Sequence, residues 1–587
     1  MTVKNLEIGP SSYVHGPTDR PLIEQTVGGF FDEISTRYAD SEALVSRHQG
    51  VRVSYGELKA RVDEMAVALL GFGVHKGERV GIWSPNNLEW VLTQFATAKV
   101  GAILVNINPA YRVAELEYAL NQSGVSLLIT AKSFKTSDYH WMLSELAPEV
   151  RELPTIGTDK EIRASRVPAL RRIVTLGNGH EPSPPFMIPW DRFIEIGTMN
   201  ASATELKERE RNLVYDDPIN IQYTSGTTGF PKGATLTHYG ILNNGFFAGE
   251  EMKFGNRDKL CIPVPFYHCF GMVLGNIACV THGATMVLPS DSFTSENVLR
   301  TVQEEKCTAL HGVPTMFIAE LDDPSFRQYN LSTLRTGIMA GAPCPIELMR
   351  KVISDMGIRE ITICYGMTET SPVSFQTKID DSVELRVSTV GRAHPHVEAK
   401  VVDPQTRDVL PEGVAGELCV RGYLVMLKYW NNPDATRDAI DAEGWMHTGD
   451  LAIIENGYAQ IVGRTKDMIS RGGEKVFPRE VEDFLYTHPK ISEVQVIGIP
   501  SRKYGEEVMA WVKVKPGETL TAKELQDYCK GKIAYFKIPA YFKFTDTFPM
   551  TVTGKVQKFK MREQSTKELG LEQVHIFRAP AARATSQ

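Results

Sequence analysis

The chain has 587 residues, of which 42% are hydrophobic and 23% are charged, as is ordinary for a globular protein. This balance excludes a disordered or fibrous chain, and the length predicts several domains that need no disulfide or metal to stay folded. Lys and Arg number 64 against 71 Asp and Glu. The net charge of -7 offers no electrostatic footprint for nucleic acid or an anionic membrane, so we expect no nucleic-acid partner.

The eight cysteines are scattered, and no two of them form a C-x-x-C pair. This excludes a zinc knuckle or a redox motif and suits a reducing compartment. The first thirty residues lack the apolar core of a signal peptide, and the C-terminal Ser586-Gln587 is not a peroxisomal signal. We therefore expect an intracellular protein, and the sequence does not separate mitochondrial, peroxisomal and cytoplasmic locations.

The run from Cys261 to Ser290 has no charged residue and is long enough to span a bilayer. However, it contains prolines, glycines and His268, which favour a buried strand, a loop at a site and a core helix. We therefore expect no transmembrane segment.

Helical patterns alternate with short apolar runs in the first part of the chain. Ser54 and Glu57 form a capping box, which predicts a helix that closes at Gly73. Strands separated by helices predict βαβ units and a mostly parallel sheet. The elements predicted next are a strand over 79–83, a helix over 88–100, an apolar run over 102–105 and an exposed proline-rich loop over 180–190.

The last 120 or so residues predict a compact α+β unit. Its predicted elements are a helix over 478–486, strands over 494–499 and 508–514, and a helix over 521–534. A short polar run that begins at Gly463 precedes this unit. We divide the chain into an N-terminal domain over 1–463, a hinge over 464–466, a C-terminal domain over 467–565 and a tail over 566–587.

The strongest chemical signal is the segment from Tyr223 to Gly233, which reads Y-T-S-G-T-T-G-F-P-K-G. It follows an alternating strand over 219–222 and precedes a helix capped by Thr237. Glycines let backbone N–H groups turn onto an anion, hydroxyls add donors, and Lys232 adds charge. The segment therefore predicts a polyphosphate cradle rather than a surface turn. It is not a Walker A loop, because it has no Gly-Lys-Ser/Thr triple.

This segment resembles the phosphate loop of the adenylate-forming superfamily, which includes acyl-CoA synthetases, luciferases and peptide-synthetase adenylation domains. Five further motifs follow in the superfamily's order. They are Y-G-M-T-E-T at 365–370, G-E-L-C-V-R-G at 416–422, W-M-H-T-G-D at 445–450, G-R-T-K-D at 463–467 and F-P-M-T-V-T-G-K at 548–555. The resemblance implies a large α/β N-terminal domain of layered sheets with a small β subdomain, followed by a small mobile α+β domain.

Four segments narrow the resemblance to fatty-acyl-CoA synthetases, above all to mitochondrial medium-chain and fungal acyl-CoA ligases. They are R-G-G-E at 471–474, V-G-R at 390–392, N-I-N-P-A-Y at 106–111 and G-K-I at 531–533. The reaction implied converts a carboxylic acid, with a medium-chain fatty acid expected, plus ATP and CoA to acyl-CoA, AMP and diphosphate. It uses Mg²⁺ and passes through an acyl-adenylate, a mixed anhydride that splits one hard step into two.

The resemblance also implies roles for individual residues. Lys555 bridges the substrate carboxylate and the α-phosphate, Glu369 holds magnesium, and Thr368 touches the α-phosphate. The phosphate cradle consists of Thr224, Ser225, Gly226, Thr227, Thr228, Gly229 and Lys232. The adenine and ribose site consists of Gly341, Ala342, Pro343, Tyr365, Gly366, Met367, Asp450 and Arg464. The hinge residue is Lys466, and the acyl and CoA channel is bordered by His268, His311, Gly472 and Gly473.

Structural alternatives stay open for several of these side chains. They are a core aromatic for Tyr365, a plain ion pair for Asp450 with Arg464, and a core position for His311. Alternative functions also stay open. The chain could deliver its acyl group to a carrier protein or another acceptor, or activate a specialised hydroxy or branched acid. A non-catalytic scaffold is disfavoured because Lys555, Glu369 and Lys232 are all present, and residues 566–587 are too few for a carrier domain.

Overall fold

The computed structural model describes residues 11–149, 161–177, 183–224, 231–342, 344–472, 474–550 and 556–572. These residues form two large sheets, two smaller sheets and a two-stranded ribbon made by Ser133–Phe134 and Ser137–Asp138. Within the same ranges, no helix combines the length and the apolar character that a membrane crossing requires.

A nine-stranded sheet has parallel strands at its centre and antiparallel strands at both edges. Its strands, in spatial order, are Arg392–Ala393, Val373–Gln376, Glu360–Gly366, Thr336–Ala340, Ala309–Leu310, Lys259–Cys261, Thr285–Leu288, Glu42–Ser46 and Val51–Ser54.

An eight-stranded sheet is parallel except at one edge, where each of its last two strands pairs antiparallel with the strand before it. Its strands, in spatial order, are Ile188–Pro189, Arg172–Thr175, Val125–Thr130, Arg79–Trp83, Ile103–Asn106, Pro218–Thr224, Lys232–Thr237 and Lys428–Tyr429.

Apart from Val14–His15, the strands of the two smaller sheets come later in the chain than the strands of the large sheets other than Lys428–Tyr429. An antiparallel sheet contains Val14–His15, Glu398–Val402, Gly416–Arg421, Met446–Glu455 and Tyr458–Arg464. The second sheet is built entirely from the C-terminal part of the chain, with strands Glu474–Val476, Ile469–Arg471, Gly505–Val514 and Ile491–Ser501, and with Tyr541–Phe544 beside Gly505–Val514.

The two large sheets share one core, which helices fill. Helix Tyr55–Gly71 packs on the nine-stranded sheet, helix Leu88–Val100 packs on the eight-stranded sheet, and the two helices pack on each other. Each sheet also buries its outer face in a separate cluster. The layering is therefore helix, sheet, helix, sheet, helix, which confirms the predicted α/β class.

The remaining helices cover these layers and the C-terminal sheet. They are Val27–Arg37, Val113–Ser123, Tyr139–Leu146, Trp190–Asn200, Ala203–Arg211, His238–Glu251, Ala278–His282, Ser295–Glu305, Pro314–Leu321, Ile346–Asp355, Val383–Ser388, Pro433–Ala439, Pro478–Tyr486, Ala522–Cys529 and Lys558–Glu568. Phe270–Ile277 is a π-helix, and Phe326–Gln328, Thr368–Thr370 and Tyr535–Lys537 are 3₁₀ turns.

Sequence periodicity predicted several of these bounds. The Ser54 capping box is formed, and its helix ends at Gly71. The prediction of an exposed loop over 180–190 is wrong for its described part, because Ile188–Pro189 is an edge strand and the side chains from Phe186 to Trp190 are largely buried. The prolines break the helical pattern there, but a proline is tolerated on an edge strand.

One buried acid makes the fold sensitive to pH. Glu320, on helix Pro314–Leu321, is 1% exposed, and neither of its carboxyl oxygens has a hydrogen-bond partner among the described residues. Burial raises the pKa of this carboxyl well above its usual value. The native protein therefore holds a proton that the unfolded chain releases above about pH 4.3, so this residue costs more stability as the pH rises.

We expect Glu320→Met to stabilise the protein by about 1–3 kcal/mol near neutral pH, because it removes an unsatisfied buried polar group at similar volume. Thermal unfolding between about pH 5 and 8 would show a gain that grows with pH. Glu208→Met, at an exposed position, is the matched control and should show no such trend. An equal gain at every pH would contradict the assignment.

Candidate active site

Strands from three sheets meet at one place in the structure. Pro218–Thr224 and Glu360–Gly366 end there, and Met446–Glu455 of the smaller antiparallel sheet passes beside them. Ligands of α/β proteins bind outside the carboxyl ends of parallel strands, where side chains from several strands can converge. The predicted phosphate, adenine and ribose residues that the structure describes lie at this junction.

The predicted phosphate cradle lies in a hairpin rather than between a strand and a helix. Pro218–Thr224 pairs antiparallel with Lys232–Thr237, and Thr224 is the register partner of Lys232. The strand Lys232–Thr237 was not foreseen, whereas the predicted helix capped by Thr237 is confirmed and spans His238–Glu251. Residues Ser225, Gly226, Thr227, Thr228 and Gly229 lie outside the described residues.

Glu369 is the buried anion of the site, with 5% of the residue exposed. Its Oε1 accepts hydrogen bonds from Thr224 Oγ1 at 3.2 Å and from Tyr429 Oη at 2.7 Å. In the described part of the chain no donor is bonded to Oε2. A carboxylate with one oxygen fixed and the other open suits Mg²⁺, which takes one or two protein carboxylates and completes its shell with phosphate and water. The residues present thus fit a magnesium site.

Asp450 is the second carboxylate of the site. Tyr365 Oη donates to its Oδ2 at 2.7 Å, and Arg464 Nε donates to its Oδ1 at 3.0 Å. The Asp450 side chain is 10% exposed and the Arg464 side chain 52%. The ion pair foreseen as an alternative is therefore formed. Each oxygen of Asp450 keeps a lone pair, so the carboxylate can still accept from two further hydroxyls.

The phenol of Tyr365 is held neutral by its surroundings. Burial, followed by the negative charge of Asp450, raises the pKa of Tyr365 well above its ordinary value. The ring is half-buried and its hydroxyl points at Asp450, which leaves an aromatic face beside the junction. An aromatic face fixed in this way is suited to stack on a purine.

The backbone around Tyr365 needs glycine at two positions. A Cβ on Gly366 would lie 1.7 Å from the Pro372 carbonyl oxygen, and Gly341 has φ +87°. Gly341 and Ala342 are exposed, while Met367 packs against the main core and Thr368 begins a buried 3₁₀ turn. The predicted wall residue Pro343 lies outside the described residues.

The two predicted channel histidines have different environments. His268 is half-buried and lies two residues before the π-helix Phe270–Ile277. Helices of this type are rare and often occur at functional sites. His311 is fully buried. Its Nε2 donates to the Leu274 carbonyl at 3.0 Å, and its Nδ1 accepts from the Ile338 N–H at 3.1 Å. His311 is thus a core residue that holds the π-helix to the nine-stranded sheet.

The predicted hinge begins at the last residue of the antiparallel sheet, Arg464, and the predicted C-terminal residues follow it. Lys466 is exposed, and partial desolvation together with the charge of Arg464 lowers the pKa of its ammonium group. Gly472 has φ +61°, and its N–H donates to the Tyr504 carbonyl at 2.8 Å. The predicted residues Gly473 and Lys555 lie outside the described residues.

Sequence reasoning missed two features near the site. Tyr429, which bonds Glu369, was not singled out, because its partner lies 60 residues away along the chain. Glu417, Cys419 and His447 bring one potential ligand atom each within 4.8 Å, a set that could hold a metal ion. However, the Arg407 guanidinium donates to both Glu417 and His447, so a cationic group already fills that position.

Comparisons with known proteins identify the family of the chain. The family described as AMP-binding enzyme matches residues 31–430, and its C-terminal domain family matches residues 480–555. The putative acyl-CoA synthetase YngI of Bacillus subtilis is 48% identical over 551 residues, which are 94% of this chain and 99% of that protein. The mitochondrial medium-chain acyl-CoA ligase ACSF2 of Danio rerio is 44% identical, over 96% of this chain and 92% of that protein.

Solved structures show the same fold. The anthranilate CoA ligase AuaEII in complex with anthranoyl-AMP has a TM-score of 0.80 and 26% identity, over 94% of this chain and 99% of that one. ATP-bound MatB from Rhodopseudomonas palustris has a TM-score of 0.77 and 28% identity, over 92% of this chain and 99% of that one. AuaEII is bound to anthranoyl-AMP in its structure, and MatB is bound to ATP.

The chain therefore belongs to the AMP-binding enzyme family, whose members form adenylates. It is an AMP-forming acid–CoA ligase that uses ATP, Mg²⁺ and CoA. The class of enzyme, the fold and the small-molecule partners expected from the sequence are confirmed.

The environment of His311 leads to a prediction about pH. Burial lowers its pKa to about 4, so the imidazole is neutral at working pH and its stabilising contribution is complete above about pH 6.5. The contribution falls as the pH drops from 6.5 toward 4. We expect His311→Asn to lose about 1–3 kcal/mol of stability and to flatten the acid limb of a stability–pH curve.

The same variant should leave the shape of the kcat/KM profile between about pH 6 and 9 unchanged, because His311 does not titrate there. Denaturant unfolding and steady-state rates across pH would check both statements. His75→Asn, at an exposed histidine, is the control. A shifted kinetic pKa in His311→Asn would contradict a purely structural role.

Proposed function

We propose that this ligase activates medium-chain fatty acids. The proposal depends on one observation, which is that the Glu369 and Asp450 carboxylates lie at the same junction and are each fixed by hydrogen bonds. Glu369 suits magnesium, Asp450 suits ribose, and the half-buried ring of Tyr365 lies beside them. Relatives named as medium-chain ligases, at more than 40% identity over nearly the whole chain, support the substrate class.

The site residues receive matching roles in this proposal. Glu369 places magnesium on the phosphates, Thr224 and Lys232 bind the phosphate end, and Tyr365 stacks on adenine. Asp450 accepts from the ribose hydroxyls, with Arg464 in support. In the first step an anionic carboxylate attacks a highly anionic triphosphate, so fixed cations and donors supply most of the catalysis. Lys555 provides the mobile positive charge at the α-phosphate.

The second step requires the same site without Lys555. We propose that residues 464–466 are the hinge about which the domain over 467–565 turns, and that Gly472 and Gly473 then face the pantetheine of CoA. The exposed position of Lys466 and the separate C-terminal sheet support this division. A turn of this kind would let one site serve both half-reactions in succession.

The compartment belongs to the same proposal. All eight cysteines are free and buried, which suits a reducing interior. We infer an intracellular enzyme. The mitochondrial relatives favour that organelle.

A hydroxylated acid is a second candidate substrate. Two buried polar atoms have no hydrogen-bond partner in the described part of the chain. One is Oη of Tyr267, which precedes His268, and the other is Oδ1 of Asn276, which lies within the π-helix. A site with unpaired polar groups prefers a ligand that satisfies them, and rejects the analogue that lacks the hydroxyl.

The function is tested by acid-dependent release of pyrophosphate and AMP, with and without CoA, over straight-chain and hydroxylated acids. We expect CoA-dependent AMP turnover with an optimum at middle chain lengths, each methylene changing kcat/KM by roughly 10-fold or more. Lys555→Ala should abolish pyrophosphate release while the protein still binds ATP. Pyrophosphate release without any acyl-CoA would instead indicate another acyl acceptor.

The ribose role of Asp450 gives a sharper prediction. Asp450→Asn should weaken ATP binding by about 10- to 100-fold, because hydrogen bonds to a charged acceptor are lost. Wild-type enzyme should discriminate against 2′-deoxy-ATP and 3′-deoxy-ATP, and the variant should not. Calorimetric titration of the three nucleotides would measure this. Asp438→Asn, at an exposed position, is the control, and equal discrimination by both variants would refute the role.

A further inference from the structure

Tyr429 lies on the short strand Lys428–Tyr429, at the edge of the eight-stranded sheet. The residue is 6% exposed. This strand pairs with Lys232–Thr237, which is the second strand of the hairpin that carries the predicted phosphate cradle. The residue belongs to the main hydrophobic core, and two of its side-chain contacts are to residues with proposed phosphate or metal roles.

The first contact is through the hydroxyl, which donates to Glu369 Oε1 at 2.7 Å. The second is through the ring, because Lys232 Nζ lies 5.0 Å from the ring centre, within the range of a cation–π interaction. Tyr429 therefore links the carboxylate of Glu369 to the ammonium group of Lys232.

We propose that Tyr429 is a positioning residue that holds Glu369 in the orientation required to bind magnesium, and holds Lys232 at the phosphates. This inference rests on the proposed roles of Glu369 and Lys232. Tyr429 would act through these two side chains and would not contact the reacting atoms.

The arrangement of donors explains how the positioning works. Thr224 and Tyr429 both donate to Oε1, so the carboxylate cannot rotate without breaking two hydrogen bonds. Oε2 is thereby presented to a metal ion without a loss of side-chain freedom on binding. Mg²⁺ demands near-ideal geometry, so a carboxylate fixed in advance binds it more tightly than a free one.

The phenol is also a dependable donor. An ordinary phenol has a pKa of about 10, so the hydroxyl keeps its proton near neutral pH. A neutral donor fixes the carboxylate without cancelling its charge, whereas a lysine at this position would compete with the metal.

The test uses Tyr429→Phe, which keeps the ring and removes only the hydroxyl. Mn²⁺ would serve as the probe, and electron paramagnetic resonance would measure its binding to the enzyme complex with α,β-methylene-ATP. We expect the Mn²⁺ dissociation constant to rise by about 3- to 10-fold, the equivalent of one hydrogen bond. The apparent activation constant for Mg²⁺ should rise equally, while kcat at saturating Mg²⁺ stays near the wild-type value.

Tyr429→Leu separates the second contact. It removes the ring as well, so the KM for ATP should also rise, beyond its value in Tyr429→Phe. Tyr55→Phe is the matched control, since Tyr55 is another buried tyrosine whose hydroxyl donates, at 2.6 Å, to the Ala284 carbonyl in the core. It should lose stability without changing Mn²⁺ binding.

Three results would overturn the inference. They are unchanged Mn²⁺ affinity in Tyr429→Phe, an equal change in Tyr55→Phe, and a fall in kcat that saturating Mg²⁺ does not restore. The proposed function fails separately, if the wild-type enzyme releases no pyrophosphate with any acid. The Mn²⁺ titration does not depend on turnover, so the two failures are distinguishable.

Discussion

Two carboxylates, Glu369 and Asp450, are buried where three sheets meet, and a buried charge must be given donors. The donors come from different sheets. Thr224 and Tyr429 belong to the eight-stranded sheet, Tyr365 to the nine-stranded sheet and Arg464 to the antiparallel one. These hydrogen bonds are satisfied only when the sheets are placed correctly against one another. The charged groups therefore specify the geometry of the site, although buried ion pairs add little net stability.

The large apolar core supplies the stability that this arrangement uses. Helices Tyr55–Gly71 and Leu88–Val100 fill the space between the large sheets with fully buried side chains, and neither helix carries a predicted site residue. The site lies at the ends of the strands, where loops and short turns can vary without disturbing the packing. Because the helices that fill the core carry no predicted site residue, the side chains of Glu369 and Asp450 can be oriented by their own hydrogen bonds.

Local signals were enough to predict local structure. The strand Arg79–Trp83 and the helices Leu88–Val100 and Pro478–Tyr486 were predicted with the bounds observed, because periodicity and caps depend on neighbouring residues. Features that depend on distant partners were not predictable in this way. The strand Lys232–Thr237 and the hydrogen bond from Tyr429 depend on sheet pairing and packing. Packing also selects the core position of His311, which the sequence had left as one of two alternatives. The motifs predict which residues form the site, and the fold determines what each described residue touches.

The nucleotide site and the proposed hinge are continuous along the chain. The strand Met446–Glu455 carries Asp450 and turns into Tyr458–Arg464, whose last residue forms the ion pair with Asp450 and also begins the hinge. Thr465 N–H donates to the Gly449 carbonyl at 3.0 Å, so the first residues of the proposed hinge are anchored to the strand that carries Asp450. A turn of the C-terminal domain about 464–466 would then pivot at the Asp450–Arg464 pair. Loss of pyrophosphate or binding of CoA could shift the domain equilibrium only by favouring one orientation. If the proposed roles hold, this pair would be the first point at which a change in the nucleotide reaches the proposed hinge.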